Sequence, residues 1–194
     1  MNCVDQDFPV LYPLFLNLRD KPVLVLGAGV VAENKVRALL QAGAQVLVVA
    51  PTATDWLKEL ALAGRIQWKA RPFAEADVRG TWLVVAATSN AVAQQRAAAA
   101  ATEHRVFIVA VDDSAHSSAF GSAVVSRPPI TVAISSSGAT PALSRLLREI
   151  IEELLPSDDW IERARRLRAE WRRERVPMGD RFGRLVKEFT RHRE

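Results

Sequence analysis

Short apolar runs alternate with amphipathic stretches along the first part of the chain. Runs of this length, rich in Val, Leu and Ile, are typical of strands that are buried on both faces of a sheet. Four such runs and one alternating segment predict strands at 23–26, 46–49, 82–87, 106–111 and 65–70. Residues with helical spacing separate them, at 30–42, 52–64 and 91–102. Strands that alternate with helices in this way predict an α/β fold with a doubly wound parallel sheet.

The pattern changes after Ser114. Two further strands are predicted at 117–126 and 130–135, followed by an amphipathic helix at 142–155. Two strands and one helix bury little apolar surface by themselves. We therefore expect this segment to pack against a second copy of the chain or against the first domain.

The last part of the chain has another composition. Residues 157–194 are helical in pattern and rich in Arg and Glu, with apolar residues confined to stripes. The sequence therefore predicts a C-terminal helical domain after the strand–helix segment. The predicted domains are 1–114, 115–155 and 156–194.

The first strand–helix–strand unit carries a glycine pattern that indicates a ligand. Gly27-Ala28-Gly29 follows the strand at 23–26, and Ala32 completes a G-x-G-x-x-A sequence. Bare backbone at the two glycines lets a pyrophosphate approach the amides and the positive end of the following helix. In this context the pattern predicts dinucleotide binding.

Two other strand ends are candidate cofactor contacts. The second strand ends in Pro51-Thr52, without the acid that often holds the ribose of NAD and without an arginine that marks NADP. Backbone groups and Thr52 could take the place of the acid, so the pattern favours NAD. The strand at 82–87 ends in Thr88-Ser89-Asn90, which could contact the cofactor, cap the next helix, or do both.

Composition and charge narrow the function classes. The chain has 194 residues, 49% of them apolar, and a net charge of +4 that favours anionic ligands. Acids nearly balance the arginines of the C-terminal segment, so nucleic acid is not expected as a partner. Cys3 is the only cysteine, so neither a disulfide nor a cysteine metal cluster is expected. Without a membrane-spanning run or a signal peptide, the chain is expected to be soluble and cytoplasmic, with no membrane partner.

Asp112 is the first candidate for catalysis. It follows the predicted strand at 106–111, level with the expected position of the dinucleotide. A carboxylate there could accept a proton while hydride leaves for a nicotinamide, or accept protons from a nitrogen ligand as a metal enters. It could equally be a turn aspartate that binds nearby amides, and Asp113 competes for either role.

The loop from Ser135 to Gly138 is the second candidate. Its small hydroxyl residues, including Ser136, precede a helix. Such a loop could bind carboxylates or phosphates through backbone amides and the helix dipole. It could also be a flexible start to the helix without a ligand.

The three histidines show no metal-ligand spacing. His116 follows Asp112 closely enough to reach a site there, whereas His104 and His192 are predicted to be solvated surface residues. No cysteine or further histidine accompanies any of them at ligand spacing. We therefore predict no resident metal site.

Four segments of the chain resemble a known family in order and in spacing. They are VLVLGAGVVAENKVRALLQAGAQV, WLVVAAT, VDDSAHSSAF and RPPITVAISSSGATPALSRLLREIIEELLP. Together they resemble the precorrin-2 dehydrogenase/sirohydrochlorin ferrochelatase family, the N-terminal module of siroheme synthase. The stretch 130–156 is the most specific part, because it joins the serine-rich loop, Thr140-Pro141 and a helix rich in Leu and Arg.

The resemblance implies a fold and a reaction. It implies a Rossmann-type domain that binds NAD, a small strand–helix dimerisation segment that forms a homodimer, and a helical domain that closes the cleft. The implied reaction is NAD-dependent oxidation of precorrin-2 to sirohydrochlorin. In bifunctional members Fe²⁺, a transient substrate, is then inserted to give siroheme.

The resemblance also implies site residues. The family's catalytic aspartate falls on Asp112, and its loop serine, which is phosphorylated in some members, falls on Ser136. Substrate contacts are further expected at Ser135 and His116. The cofactor turn and the end of the second strand correspond to Gly27, Gly29, Val30, Val31, Pro51 and Thr52.

The many carboxylates of precorrin-2 suggest basic partners. Arg127, Arg145 and Arg148 are candidates, although each could be a solvated surface residue. Two other functions stay open: a dehydrogenase without chelatase activity, and a non-enzymatic sensor in which an NAD-binding domain controls a partner. The specific stretch 130–156 argues against a sensor, which has no reason to contain it.

Overall fold

A computed structural model describes residues 10–155 and 158–190. The strands are β1 (Pro22–Leu26), β2 (Gln45–Val49), β3 (Gln67–Lys69), β4 (Leu83–Ala86), β5 (Phe107–Ala110), β6 (Ala123–Arg127) and β7 (Ile130–Ile134). The α-helices are α1 (Val30–Gln41), α2 (Asp55–Leu62), α3 (Ala91–His104), α4 (Pro141–Leu154), α5 (Asp158–Arg173) and α6 (Met178–Thr190). Two 3-10 turns lie at Glu75–Val78 and Ser114–His116.

The first five strands form one parallel sheet in the order β3-β2-β1-β4-β5. This is the strand order of the Rossmann fold, in which the crossover direction reverses between β1 and β4. Leu26 pairs with Val49 on one side and with Ala86 on the other, so three carboxyl ends lie level. Val23 and Val25 are fully buried, as a strand covered on both faces requires.

Contacts divide the chain into two compact units. Of the described residues, the first unit contains those up to Gly121 together with Ser137–Thr140. The second contains the antiparallel hairpin β6–β7, α4 packed on that hairpin, and the pair α5 and α6. These units do not test the domain boundaries expected after residues 114 and 155, which remain a prediction. No helix within the described ranges is long and apolar enough to cross a membrane.

The strand predicted at 117–126 is shorter than expected. β6 begins at Ala123, and the residues before it bond to the edge of β5 instead. The Ser118 amide donates to the Ile108 carbonyl at 2.9 Å, and the Ile108 amide donates to the Ser118 hydroxyl at 2.9 Å. Because a side-chain oxygen takes the place of a strand carbonyl, the ladder stops there.

A buried carboxylate holds the connection between β3 and β4. The Asp77 side chain is 3% exposed and accepts from Arg71 Nη2 at 2.5 Å, from the Ala74 amide at 3.1 Å and from Lys69 Nζ at 3.3 Å. Burial by itself raises the pKa of Asp77, but the hydrogen bonds from these donors outweigh it and hold the pKa below its ordinary value. Asp77 therefore stabilises the fold in its ionised form.

We expect Asp77→Asn to lower the free energy of unfolding by about 1–3 kcal/mol at neutral pH, since the donors lose a charged acceptor. A carboxyl whose pKa is depressed on folding stabilises the protein above its unfolded pKa, and this contribution is lost as pH falls through the folded value. The difference between wild type and variant should therefore shrink below about pH 4. Urea unfolding at several pH values measures it.

Asp55→Asn is the matched control. Asp55 also pairs with a lysine, Lys58, at 2.8 Å, but its side chain is 91% exposed. An exposed pair contributes little to stability, so this variant should unfold like the wild type. Equal destabilisation by both variants, or a difference for Asp77→Asn that does not change with pH, would contradict the interpretation.

Candidate active site

The glycine turn between β1 and α1 lies against the end of β4. Gly27 has φ +99°, which favours glycine, and a Cβ built on it would lie 2.2 Å from the carbonyl oxygen of Ala87. Its amide donates to the Val49 carbonyl at 3.1 Å. The turn is thus held between the ends of β2 and β4, and a side chain at this position would displace it.

The start of α1 offers open space and amide donors. Among the described residues, no side chain caps the helix at Gly29, and a Cβ built there would meet no atom of another part of the chain within 4 Å. The first amides of an α-helix, here those of Val30, Val31 and Ala32, have no acceptor within the helix. The side chains of Val30 and Val31 are exposed. Space, donors and the helix dipole together fit the pyrophosphate of a dinucleotide.

The segment after β2 borders the same turn. The Thr54 amide donates to the Ala28 carbonyl at 3.1 Å, and the Thr54 hydroxyl is buried without a hydrogen-bond partner among the described residues. Pro51 and Thr52 lie between β2 and this contact and are exposed. Both are therefore accessible for the cofactor contact predicted for them.

Thr88 follows β4, next to the glycine turn. Its hydroxyl accepts from the Asn90 amide at 3.2 Å, and Asn90 caps α3 by accepting from the Ala93 amide at 3.0 Å. Of the two roles left open for this polar cluster, Asn90 therefore takes the cap. The cofactor contact of Thr88 stays a prediction.

Asp112 lies in a tight turn at the carboxyl end of β5. The Asp113 amide donates to the Ala110 carbonyl at 3.3 Å, and Asp112 has φ +58° within this turn. Asp and Asn tolerate such a conformation better than most residues do. Asp112 is exposed, and β5 is the second strand from β1, so the two strands are about 10 Å apart. An accessible carboxylate therefore shares a sheet edge with the glycine turn.

Gln94 of α3 supports the strand ends beside Asp112, a role that its position in the sequence does not indicate. Its place among the polar residues of an alanine-rich helix predicts a water-facing side chain, and that prediction is wrong. Gln94 is buried, and its Nε2 donates to the Val111 carbonyl at 3.1 Å and to the Ala86 carbonyl at 3.4 Å. It therefore fixes the strand end that leads into Asp112. The pattern of apolar residues along α3 does not indicate in the sequence that Gln94 is buried.

A second carboxylate orients the candidate histidine. Nδ1 of His116 lies 2.7 Å from Oδ2 of Asp113, whose other oxygen accepts from the His116 amide at 3.3 Å. The other ring nitrogen of His116 has no hydrogen-bond partner among the described residues, and the substrate contact of His116 stays a prediction. The described residues contain no group of three His, Cys, Asp or Glu that could hold a metal ion.

The serine-rich loop is divided between the two units. Its part Ser137–Thr140 belongs to the first unit, where a Cβ built on Gly138 would lie 3.6 Å from Cβ of Ser114. Ser114 begins the 3-10 turn that carries His116, so this half of the loop lies beside the Asp112 turn. Ser135 and Ser136 belong to the second unit, and the substrate contact predicted for them stays a prediction.

The candidate arginines of the second unit all have protein partners. Arg127 donates to the Leu155 carbonyl at 2.8 Å. Arg145 pairs with Glu149 at 3.2 Å, and Arg148 pairs with Glu152 at 2.8 Å. The substrate contact predicted for Arg145 would therefore compete with an exposed ion pair on α4.

Comparisons with known proteins bear on this site. Residues 14–123 match the family described as "Putative NAD(P)-binding", and residues 127–154 match "Sirohaem biosynthesis protein central". Siroheme synthase 3 of Aeromonas hydrophila is 48% identical over 144 residues, and siroheme synthase 2 of Yersinia pestis is 40% identical over 171 residues. The chain belongs to the family of the siroheme synthase N-terminal module.

The alignments cover most of this chain and a smaller share of these relatives. They include 74% of the chain and 31% of the Aeromonas protein, and 87% of the chain and 36% of the Yersinia protein. The chain thus spans about a third of the length of the curated relatives it matches.

A solved structure has the same fold. SirC, a precorrin-2 dehydrogenase, aligns with a TM-score of 0.70 over 91% of this chain and 88% of its own, at 23% identity. This likeness confirms the predicted Rossmann-type sheet followed by a small strand pair and C-terminal helices. The NAD(P)-binding family match confirms the predicted nicotinamide dinucleotide cofactor.

Proposed function

We propose that this chain is an NAD-dependent precorrin-2 dehydrogenase of siroheme biosynthesis. The observation that supports it most is the exposed Asp112 carboxylate on the same sheet edge as the glycine turn. The siroheme synthases that the chain resembles, and the precorrin-2 dehydrogenase that shares its fold, name the substrate class.

The protein's own residues would divide the work as follows. Backbone amides at the start of α1 hold the pyrophosphate, and Pro51, Thr52 and Thr88 border the rest of the cofactor. When bound, NAD supplies the acceptor for the hydride that the oxidation removes. Asp112 accepts the proton that leaves precorrin-2 with that hydride, so atoms and charge balance as sirohydrochlorin, NADH and a proton.

Metal insertion is the second part of the proposal. Two ring N–H protons leave sirohydrochlorin as Fe²⁺ enters, and a carboxylate at the ring edge can accept them. Asp112 is exposed, and His116 is oriented by Asp113 nearby, so both can receive protons in turn. The alternative is a dehydrogenase that leaves metal insertion to a separate chelatase.

Anaerobic incubation of the chain with precorrin-2 and NAD tests both parts. NADH should appear in equal amount with sirohydrochlorin, and NADP in place of NAD should give a slower reaction. Adding Fe²⁺ should then produce the siroheme spectrum faster than the spontaneous reaction without protein. NADH formation without accelerated insertion would leave the dehydrogenase alone. NAD binding without any oxidation would contradict the proposal and favour a sensor.

We further propose that the chain forms a homodimer through α4. Leu143, Leu147, Ile150 and Leu154 recur at helical spacing on this helix and are 50%, 39%, 44% and 75% exposed. The helix packs on the hairpin, and the buried Ser144 lies outside the stripe. An exposed apolar stripe of this kind is typical of an interface, and a second copy would cover it with the same stripe.

We expect Leu147→Glu to convert the dimer to a monomer, because it places a charge within the apolar stripe. Size-exclusion chromatography with light scattering measures the mass. Leu62→Glu is the control, since Leu62 is 90% exposed and belongs to α2, not to the stripe, and its variant should stay dimeric. An unchanged mass for Leu147→Glu would exclude α4 as the interface.

The cytoplasmic location expected from the sequence remains part of the proposal.

A further inference from the structure

One face of α5 consists almost entirely of arginine. Arg165, Arg168, Arg172 and Arg173 line an open surface around Ala169, and all of these residues are exposed. Positions three, four, seven and eight residues apart lie on one side of a helix. The four guanidinium groups therefore extend over a rise of about 12 Å along the helix.

These arginines differ from their neighbours on α5 because, within the described part of the chain, their side chains have no protein partner. On the same helix, Arg163 pairs with Glu188 and Arg166 pairs with Glu162. We call Arg165, Arg168, Arg172 and Arg173 the arginine face. Within residues 10–155 and 158–190, their side chains take part in no ion pair or hydrogen bond.

Helix stability does not explain the whole cluster. Cations in the last turn interact favourably with the helix dipole, which accounts for Arg172 and Arg173. Arg165 and Arg168 lie further from that end. They also repel at i,i+3, as do Arg168 and Arg172 at i,i+4, which destabilises the helix. An anionic ligand would offset this repulsion.

We propose that the arginine face of α5 binds the carboxylate side chains of the tetrapyrrole substrate. This inference rests on the proposed function, because it takes the precorrin-2 and sirohydrochlorin polycarboxylates as the ligand. Guanidinium groups bind carboxylates in a bidentate manner, and several of them together attract a polyanion before it reaches its site. The arginines that are more obvious in the sequence, on α4, are already paired with glutamates.

The charge of the whole helix favours a compact polycarboxylate over a nucleic acid. The residues of α5 include six arginines and four acids, and the four residues of the arginine face surround Ala169. A nucleic acid backbone presents phosphates continuously and would also meet the acids of this helix. A compact macrocycle with carboxylates on its rim needs only the arginine face.

The test compares two double variants of the full chain. Arg168→Gln/Arg172→Gln removes the centre of the arginine face, and Arg166→Gln/Arg184→Gln removes the same charge from elsewhere on α5 and α6. Gln and Arg have similar helix propensities, which circular dichroism of both variants checks. Sirohydrochlorin is the probe, titrated anaerobically at several salt concentrations, and NAD affinity is measured alongside.

We expect the first variant to weaken sirohydrochlorin binding by about fivefold or more, with a shallower salt dependence. The control should change by less than about twofold, because Arg166 is engaged by Glu162 and Arg184 lies on α6, outside the arginine face. Arg168→Lys/Arg172→Lys should recover part of the lost affinity, since the charge returns without the bidentate geometry. NAD affinity should not change in any variant.

Equal affinities for the two Gln variants would overturn the inference. If the wild type oxidises precorrin-2 while this equality holds, only the arginine face is wrong and the proposed function stands. If the wild type neither binds sirohydrochlorin nor oxidises precorrin-2, the proposed function itself fails. Loss of duplex oligonucleotide binding in the first variant, with sirohydrochlorin binding intact, would assign the face to nucleic acid instead.

Discussion

Asp112→Asn will lower the rate of precorrin-2 oxidation by about 10²- to 10⁴-fold, the usual contribution of a general base. Asn is the informative substitution because it removes the charge and still tolerates the φ of +58° at this turn. Alanine would add backbone strain to the loss of the carboxylate. The measurement is kcat for NADH formation under anaerobic conditions, with NAD affinity measured separately and expected to stay the same.

The same variant separates the two proposed reactions. If one carboxylate serves both, the rate of Fe²⁺ insertion into sirohydrochlorin should fall together with oxidation. Asp55→Asn, on the exposed start of α2, is the control and should keep both rates. Wild-type rates for Asp112→Asn in both assays would mean that neither role belongs to this residue, and the proton would then have to leave to water or to His116.

Gly27→Ala will lower the stability of the fold, whereas Gly29→Ala will lower the affinity for the cofactor. A Cβ at Gly27 would lie 2.2 Å from the Ala87 carbonyl oxygen at φ +99°, so the turn must move or the sheet must open. Backbone strain and overpacking together should lower the free energy of unfolding by roughly 3 kcal/mol or more. At Gly29 a methyl group meets no protein atom within 4 Å, so stability should change little.

Cofactor affinity is the quantity that Gly29→Ala is expected to change. A methyl group at Gly29 would occupy space that we assign to the pyrophosphate, so NAD affinity should fall by at least about tenfold. Isothermal titration with NAD and urea unfolding measure the two effects independently. Gly64→Ala is the control for backbone conformation alone, because Gly64 has φ +67° in open space. Unchanged NAD affinity in Gly29→Ala would place the pyrophosphate elsewhere.

Local pattern predicted the sheet because each parallel strand is buried on both faces and must be apolar throughout. Val23–Leu26 and the later apolar runs are therefore recognisable as strands, and the glycine turn gains its meaning from the strand before it and the helix and strand after it. Asp112 follows a strand directly, so its place at the sheet edge also comes from local sequence. These are short-range signals, each contained in a few consecutive residues.

The sequence by itself thus determined the Rossmann-type sheet, the glycine turn after β1 and the position of Asp112. Only the tertiary structure decided that Gln94 is buried against the β5 end, that Asp113 orients His116, and which arginines lack a partner among the described residues. The physical reason is that each of these facts depends on a residue's partner or covering surface. Gln94 and the arginines of α5 illustrate this. The same residue type at similar positions on a helix is bonded or unbonded according to which distant residues the fold places beside it.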